Sequence, residues 1–201
     1  MKNFIRITLA KALPAGAGPP RLAAIVLLLT LAVCVSAAGT AQDIDVPSGT
    51  PLTLKLPSSW DAVKTQPSPS QPPSLSITIT NDNEINIRIT FLGDKEGRLD
   101  AQDKVDQLVK AISAKFAKQS VEKEVKITKL ESTNGSGSYA RFTDADLVGK
   151  PATPGQFKVF AAGFIVIGKS AASFTIVANS FEQASYKEAI KFVQEGIVKR
   201  D

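Results

Sequence analysis

The 201-residue sequence has no histidine and only one cysteine, Cys34. Without His there is no imidazole proton shuttle, no Ser-His-Asp or Cys-His pair and no His-ligated metal. A lone Cys excludes an internal disulfide and a Cys-rich metal cage. Aromatic residues are scarce as well, at 6%, with one Trp and two Tyr. What is present is ordinary for a globular chain: 43% apolar and 21% charged, far from the balance of a disordered segment. The length suits one domain rather than two.

The front of the chain stands apart from the rest. Lys2, Arg6, Lys11 and Arg21 are the only charges in residues 1–41, and all are positive. Leu22 to Val35 then runs uncharged as LAAIVLLLTLAVCV, followed by SAAGTAQ. A basic start, an apolar run of this length and a small-x-small site are the three parts of a secretory signal peptide. Residues 1–41 are therefore predicted to be removed on export to the periplasm or beyond. Gly39 and Ala41 suit the −3 and −1 positions, which places cleavage between Ala41 and Gln42; Ser36 and Ala38 offer a second site. The run falls short of the ~20 apolar residues of a spanning helix.

Processing changes the charge. Lys plus Arg falls from 24 to 20 while Asp plus Glu stays at 19, so +5 becomes +1. The basic surface expected of a nucleic-acid binder disappears, and nucleic acid is excluded as a partner. Leu31-Ala32-Val33-Cys34 also resembles a lipobox, with Val33 where that pattern has Gly, Ala or Ser. The alternative to a discarded leader is thus a lipoprotein anchored through Cys34, the one route by which this chain would contact a membrane.

Residues 42–49 read as a polar lead-in to a single domain over 50–200. Leu52, Leu54 and Leu56 alternate with polar residues as a half-buried strand that Pro57 ends, just before Trp60. Pro67, Pro69, Pro72 and Pro73 fall within ten residues and predict an extended, polyproline-like loop. Residues 75–80 and 85–91 alternate as a hairpin. Val105, Leu108, Val109, Ile112 and Phe116 form a helical stripe, with Asp100 as the expected cap and an end near Ser120. Four strands follow, at 121–130, 138–147, 157–167 and 171–178, the last two apolar on both faces as central strands are. Ser180 and Gln183 form the pattern of a capping box for a closing helix from Phe181 through Ile197. The order β-β-β-α-β-β-β-β-α predicts an α+β fold, an antiparallel sheet of about six to seven strands flanked by a helix on each face.

Three patterns suggest chemistry and fail on context. Gly163 to Ser170 satisfies the P-loop spacing, but its middle is Phe-Ile-Val-Ile and another strand follows, so no helix N-terminus could hold a phosphate. Nucleotide binding is rejected. Ser120-Val121-Glu122-Lys123 matches a Ser-x-x-Lys pair without the companion segments of penicillin-interacting enzymes. Asp144 and Asp146 share a strand parity, which puts their side chains about 7 Å apart on one face. They are too few for Ca²⁺, which takes six or more oxygens; Asp43 and Asp45 weigh less still. The sequence therefore offers no catalytic, cofactor-binding or metal residue. Trp60 with Pro67, Pro69, Pro72 and Pro73 is the candidate partner contact, although a single Trp more often plugs a core.

Leu54-Lys55-Leu56-Pro57-Ser58-Ser59-Trp60 resembles the strand-Pro-x-x-Trp opening of PsbP-like domains. Gly137-Ser138-Tyr139, the long hairpin 157–178 and the closing helix extend the resemblance over most of residues 48–200. The group includes the PsbP extrinsic subunit of photosystem II and DcrB-like periplasmic lipoproteins. The resemblance implies an α/β/α sandwich and a non-enzymatic accessory role. The expectation is an exported accessory or binding protein of the cell envelope with a protein partner. The rival is an envelope hydrolase using carboxylates or a Ser-Lys pair.

Overall fold

A computed structural model describes residues 39–201 except 67, 70, 80, 81, 152 and 154. Five strands precede the first helix: β1 (Thr40–Ile44), β2 (Leu52–Leu56), β3 (Trp60–Thr65), β4 (Ser74–Ile79) and β5 (Asp82–Gly93). Helix α1 (Gln102–Ala117) leads to β6 (Ile127–Leu130), β7 (Ser136–Thr143), β8 (Val159–Ile167) and β9 (Ser170–Ala178). Helix α2 (Ala184–Lys191) runs into a π-turn at Phe192–Gly196 and then β10 (Ile197–Lys199).

Seven strands form one antiparallel sheet in the order β3-β4-β5-β9-β8-β7-β6. Its centre is the β8–β9 hairpin. Strand β8 is covered on both faces, by Ile165 on one and Phe164 and Val166 on the other. Strand β9 buries Phe174 and Ile176 on one face and leaves Thr175 exposed on the other, so the reading of two doubly covered strands holds for β8 alone. Helix α1 lies chiefly over β6, β7 and β8. Val105, Val109 and Ala117 pack there with Ala140, Phe142, Phe164 and Val166. On the opposite face, Tyr186 and Ala189 of α2 join Ile77, Ile87, Ile89 and Ile176. The fold is the expected antiparallel sheet with a helix on each face.

A second, three-stranded sheet was not expected. β1, β2 and β10 pair antiparallel, and β2 is its middle strand rather than part of the large sheet. Ile44, Leu52, Leu54, Leu56 and Ile197 drive its apolar side into the core shared with α2. The supposed lead-in is therefore partly strand. Ile44 is fully buried while Asp43 accepts a 2.7 Å hydrogen bond from Thr53, and the flanking aspartates disguise the alternation. Arg200, just past β10, reaches Asp45 at 2.6 Å and fastens the end of the chain to β1.

Other boundaries move for local reasons. Asp100 does not cap α1; it pairs with Lys104 at 2.6 Å, and the capping position is Ala101. The chain before α1 is instead turned by Asp94, whose carboxylate accepts from the backbone N–H groups of Arg98 and Leu99. Of the predicted 121–130 strand only Ile127–Leu130 forms a ladder; Val121 makes a single backbone bond to the Thr143 carbonyl before the chain reverses at Lys123 with φ of 58°. Strand β7 stops at Thr143 because Asp144 caps a short 3-10 turn over Ala145–Leu147. The Ser180/Gln183 box is not made. Ser180 accepts from the Glu182 N–H and Gln183 Oε1 from the Asn179 N–H, so α2 begins only at Ala184.

Candidate functional site

Directly paired residues of an antiparallel sheet share a face. Ser173 of β9 stands opposite Phe164 of β8, which packs under α1, so Ser173 belongs to the α1 face. The same row continues outward through Thr90, Ser74 and Thr65. The neighbouring row is Thr175, Arg88, Ser76 and Val63. Thr78 and Asp61 are paired one row further on. Because α1 sits toward the β6 side, this half of the face is left open. Thr78, Arg88 and Thr175 are exposed, and Val63 is 67% exposed, the most exposed large apolar residue among those described.

The open half-sheet is a bed of hydroxyls, interrupted by a register shift between Ile77 and Ile79 where β4 meets β5. Ser74 and Thr90 hydroxyls meet at 3.0 Å, holding two of them in register. Beneath it, Leu75, Ile77, Ile87 and Ile89 are fully buried, so the backbone bearing the polar row is fixed from below. At its inner border, against α1, lies an aromatic group. Phe160 meets Phe116 edge-on at 4.8 Å and stacks on Phe142 at 5.0 Å. Four strands spaced ~4.8 Å apart and about six residues long at ~3.3 Å each make a bed of roughly 380 Å². That is about half of the ~800 Å² one partner presents in a standard interface. The remainder would have to come from the α1 wall and the loop at the β3–β4 edge.

That loop is the proline-rich segment. Pro69 and Pro72 are exposed, Pro73 is buried, and Pro67 lies outside the described residues. Gln71 N–H donates to the Ser68 carbonyl and Gln66 to the Gln71 carbonyl, so the loop is braced within itself. Pro73 ties it to the sheet by accepting from the Phe91 N–H. Trp60 does not line a groove here. It is 5% exposed, points to the opposite face, and packs edge-on against Phe192 at 5.1 Å.

The remaining sequence candidates fall apart spatially. Gly163–Ser170 is strand and hairpin turn; Gly168 takes φ of 60°, and the Lys169 N–H donates to Thr50 Oγ1, so the amides face protein rather than phosphate. Asp144 is not a strand residue aligned with Asp146, since its carboxylate accepts the Asp146 N–H at 2.8 Å. Glu122, beside the Ser-x-x-Lys match, accepts from both the N–H and the hydroxyl of Thr143 at 2.8 Å. Burial pushes its carboxyl upward, but the hydrogen bonds outweigh that and hold it below the usual range. Lys123 bends back to the Lys118 carbonyl. Among the described residues no cluster of three or more His, Cys, Asp or Glu could hold a metal ion. Ala41 and Gln42 sit inside β1, and Cys34 lies outside the described residues.

No family model matches the chain, and no curated protein matches it. Solved structures do. Cyanobacterial PsbP from Synechocystis sp. PCC 6803 is 11% identical with a TM-score of 0.48, over 83% of this chain and 96% of that one. The Saccharomyces cerevisiae Ran-binding protein Mog1p is 11% identical with a TM-score of 0.44, over 81% and 97%. A Bacteroides thetaiotaomicron protein is 12% identical with a TM-score of 0.42, over 80% of this chain and 48% of that chain. A PsbP is thus among the structures this chain is similar to. Likeness of this strength assigns neither site nor activity.

Proposed function

We propose that this chain is an exported, non-catalytic accessory protein of the cell envelope that binds a protein partner across its open half-sheet and the adjoining proline-rich loop. The observation that carries the reading is the lopsided cover of the large sheet. One half of the α1 face is sealed by α1, and the other presents Thr65, Ser74, Ser76, Thr78, Thr90, Ser173 and Thr175 on a rigid floor. A rigid floor lowers the ordering cost of association. Val63, on the edge strand β3, adds one exposed apolar side chain at the border of the polar bed. Export rests on the composition of residues 1–41, and the absence of His narrows the catalytic options.

A photo-crosslinking residue in place of Thr78 in the full chain, expressed in its own cells, tests the surface. A discrete adduct at Thr78, absent when the same residue replaces the exposed Glu188 on α2, is expected; adducts at both positions or neither overturn the surface. N-terminal mass spectrometry of the recovered protein tests export. A start at Gln42 is expected, and a diacylated Cys34 or an intact Met1 overturns the discarded leader.

A further inference from the structure

Resting on that docking surface, we infer that Arg88 is its anchor and grips a carboxylate on an acidic segment of the partner protein. Four arginines lie in the described part of the chain, and three are engaged. Arg98 pairs with Glu96, Arg200 with Asp43 and Asp45, and Arg141 lies over the Phe181 ring. Arg88 is exposed, and no carboxylate among the described residues forms an ion pair with it. It stands in the middle of the open half-sheet, with Ser76 on one side and Thr175 on the other. Ile87 and Ile89, its neighbours along β5, are fully buried and hold its backbone in place.

The chemistry of the surroundings selects the ligand. A guanidinium presents parallel N–H groups that match a carboxylate bidentately. Side chains directly opposite on neighbouring strands stand about 4.5–5.5 Å apart at Cβ, so the Ser76 and Thr175 hydroxyls flank the stem of Arg88 and give the carboxylate a polar surround. A polyanion is not matched. Anionic membranes draw about 1 kcal/mol from each basic residue near the surface, and this face carries Arg88 together with the acidic Asp61. Duplex nucleic acid is held by roughly 6–10 phosphate contacts. The exposed lysines Lys110 and Lys115 are on α1 and Lys118 is its C-cap, away from this row. One cation in a hydroxyl bed reads a single carboxylate, and Val63 in the same row receives an apolar neighbour of it.

The Thr78 crosslinking strain separates the anchor from the surface. Arg88→Gln should lower the adduct about tenfold, as loss of an interface arginine does, and Arg88→Lys should restore part of it because the charge returns without the fork. An undiminished adduct in Arg88→Gln overturns the anchor and leaves the docking surface standing; no adduct in the parent chain overturns both. A second measurement uses the recovered mature protein with a capped peptide carrying one glutamate beside a leucine, followed by NMR. Saturable shifts at the Arg88 side-chain N–H and the Ser76 and Thr175 amides are expected, lost in Arg88→Gln. Shifts centred on Lys110, Lys115 and Lys118, or equal shifts with phosphatidylglycerol vesicles, overturn the assignment.

Discussion

Two residues with no role at the surface carry much of the physics beneath it. The ring of Trp60 is buried against Phe192, so Trp60→Ala removes an aromatic pair and opens a cavity. The expected loss is about 3–5 kcal/mol, read from the midpoint of urea unfolding, with exposed Pro69→Ala as a control that leaves it unchanged. Glu122 carries a pH signature. Its folded carboxyl is held below the ordinary value by Thr143, against the upward push of burial. That contribution is whole above the unfolded carboxyl's range and is lost as the pH falls through the folded value. Urea midpoints measured from neutral pH into acid should therefore fall less steeply for Glu122→Gln than for the parent. The burial of Trp60 follows the commoner fate of a lone Trp, whereas the role of Glu122 was not legible from residue type. Glu122 reads in sequence as one more charge in an edge strand, because its partner Thr143 is twenty-one positions away.

Among the elements, alternation located strands wherever one face met the core, as in β4, β5 and β2. It failed for β3, where Asp61, Lys64 and Thr65 are exposed and only Trp60 is buried. An edge strand with solvent on both faces has no apolar partner row to impose a period. Capping patterns failed similarly, because Asp100 and Ser180 found other hydrogen-bonding partners nearby. The central hairpin was legible, and Gly163 shows how tightly it is built. A Cβ there would fall 2.4 Å from the Ser138 carbonyl oxygen and 2.6 Å from Phe174 Cζ. Gly163→Ala forces β7, β8 and β9 apart at the middle of the sheet. Overpacking of this kind costs about 1–3 kcal/mol or more, and the thermal midpoint and amide exchange of β8 should both register it.

For the molecule as a whole, the sandwich was readable because the two helical stripes and the doubly apolar hairpin demand cover on both sides of one sheet. The small sheet was not, since its pairing of β1, β2 and β10 joins the first described strand to the last. No local signal reports a contact across that separation. The open half-sheet was anticipated only as the polar side of one hairpin; its breadth depends on where α1 sits, which sequence periodicity leaves open. The proline-rich loop stands outside this framework, with its described hydrogen bonds largely internal. Replacing residues 67–72 with a glycine-serine linker of equal length should shift stability by no more than about 0.5 kcal/mol in urea unfolding, while the Thr78 adduct weakens.

The π-turn at Phe192–Gly196 has a consequence for how insertions and deletions are tolerated at the end of the chain. Each helical residue advances the chain by about 100°, so one extra residue in the last turn decides which side chain enters β10 facing inward. Phe192 packs against Gly196 there, and Ser132 and Asn134 accommodate the carbonyls of Gln194 and Glu195 that the wide turn releases. Deleting Gln194 would restore ordinary helical spacing and swing Ile197 away from β2. The five-residue turn acts as a phase adjuster between a spiral and a ribbon. Ordinary surface loops absorb length changes, but here a single lost codon should leave the small sheet unfastened.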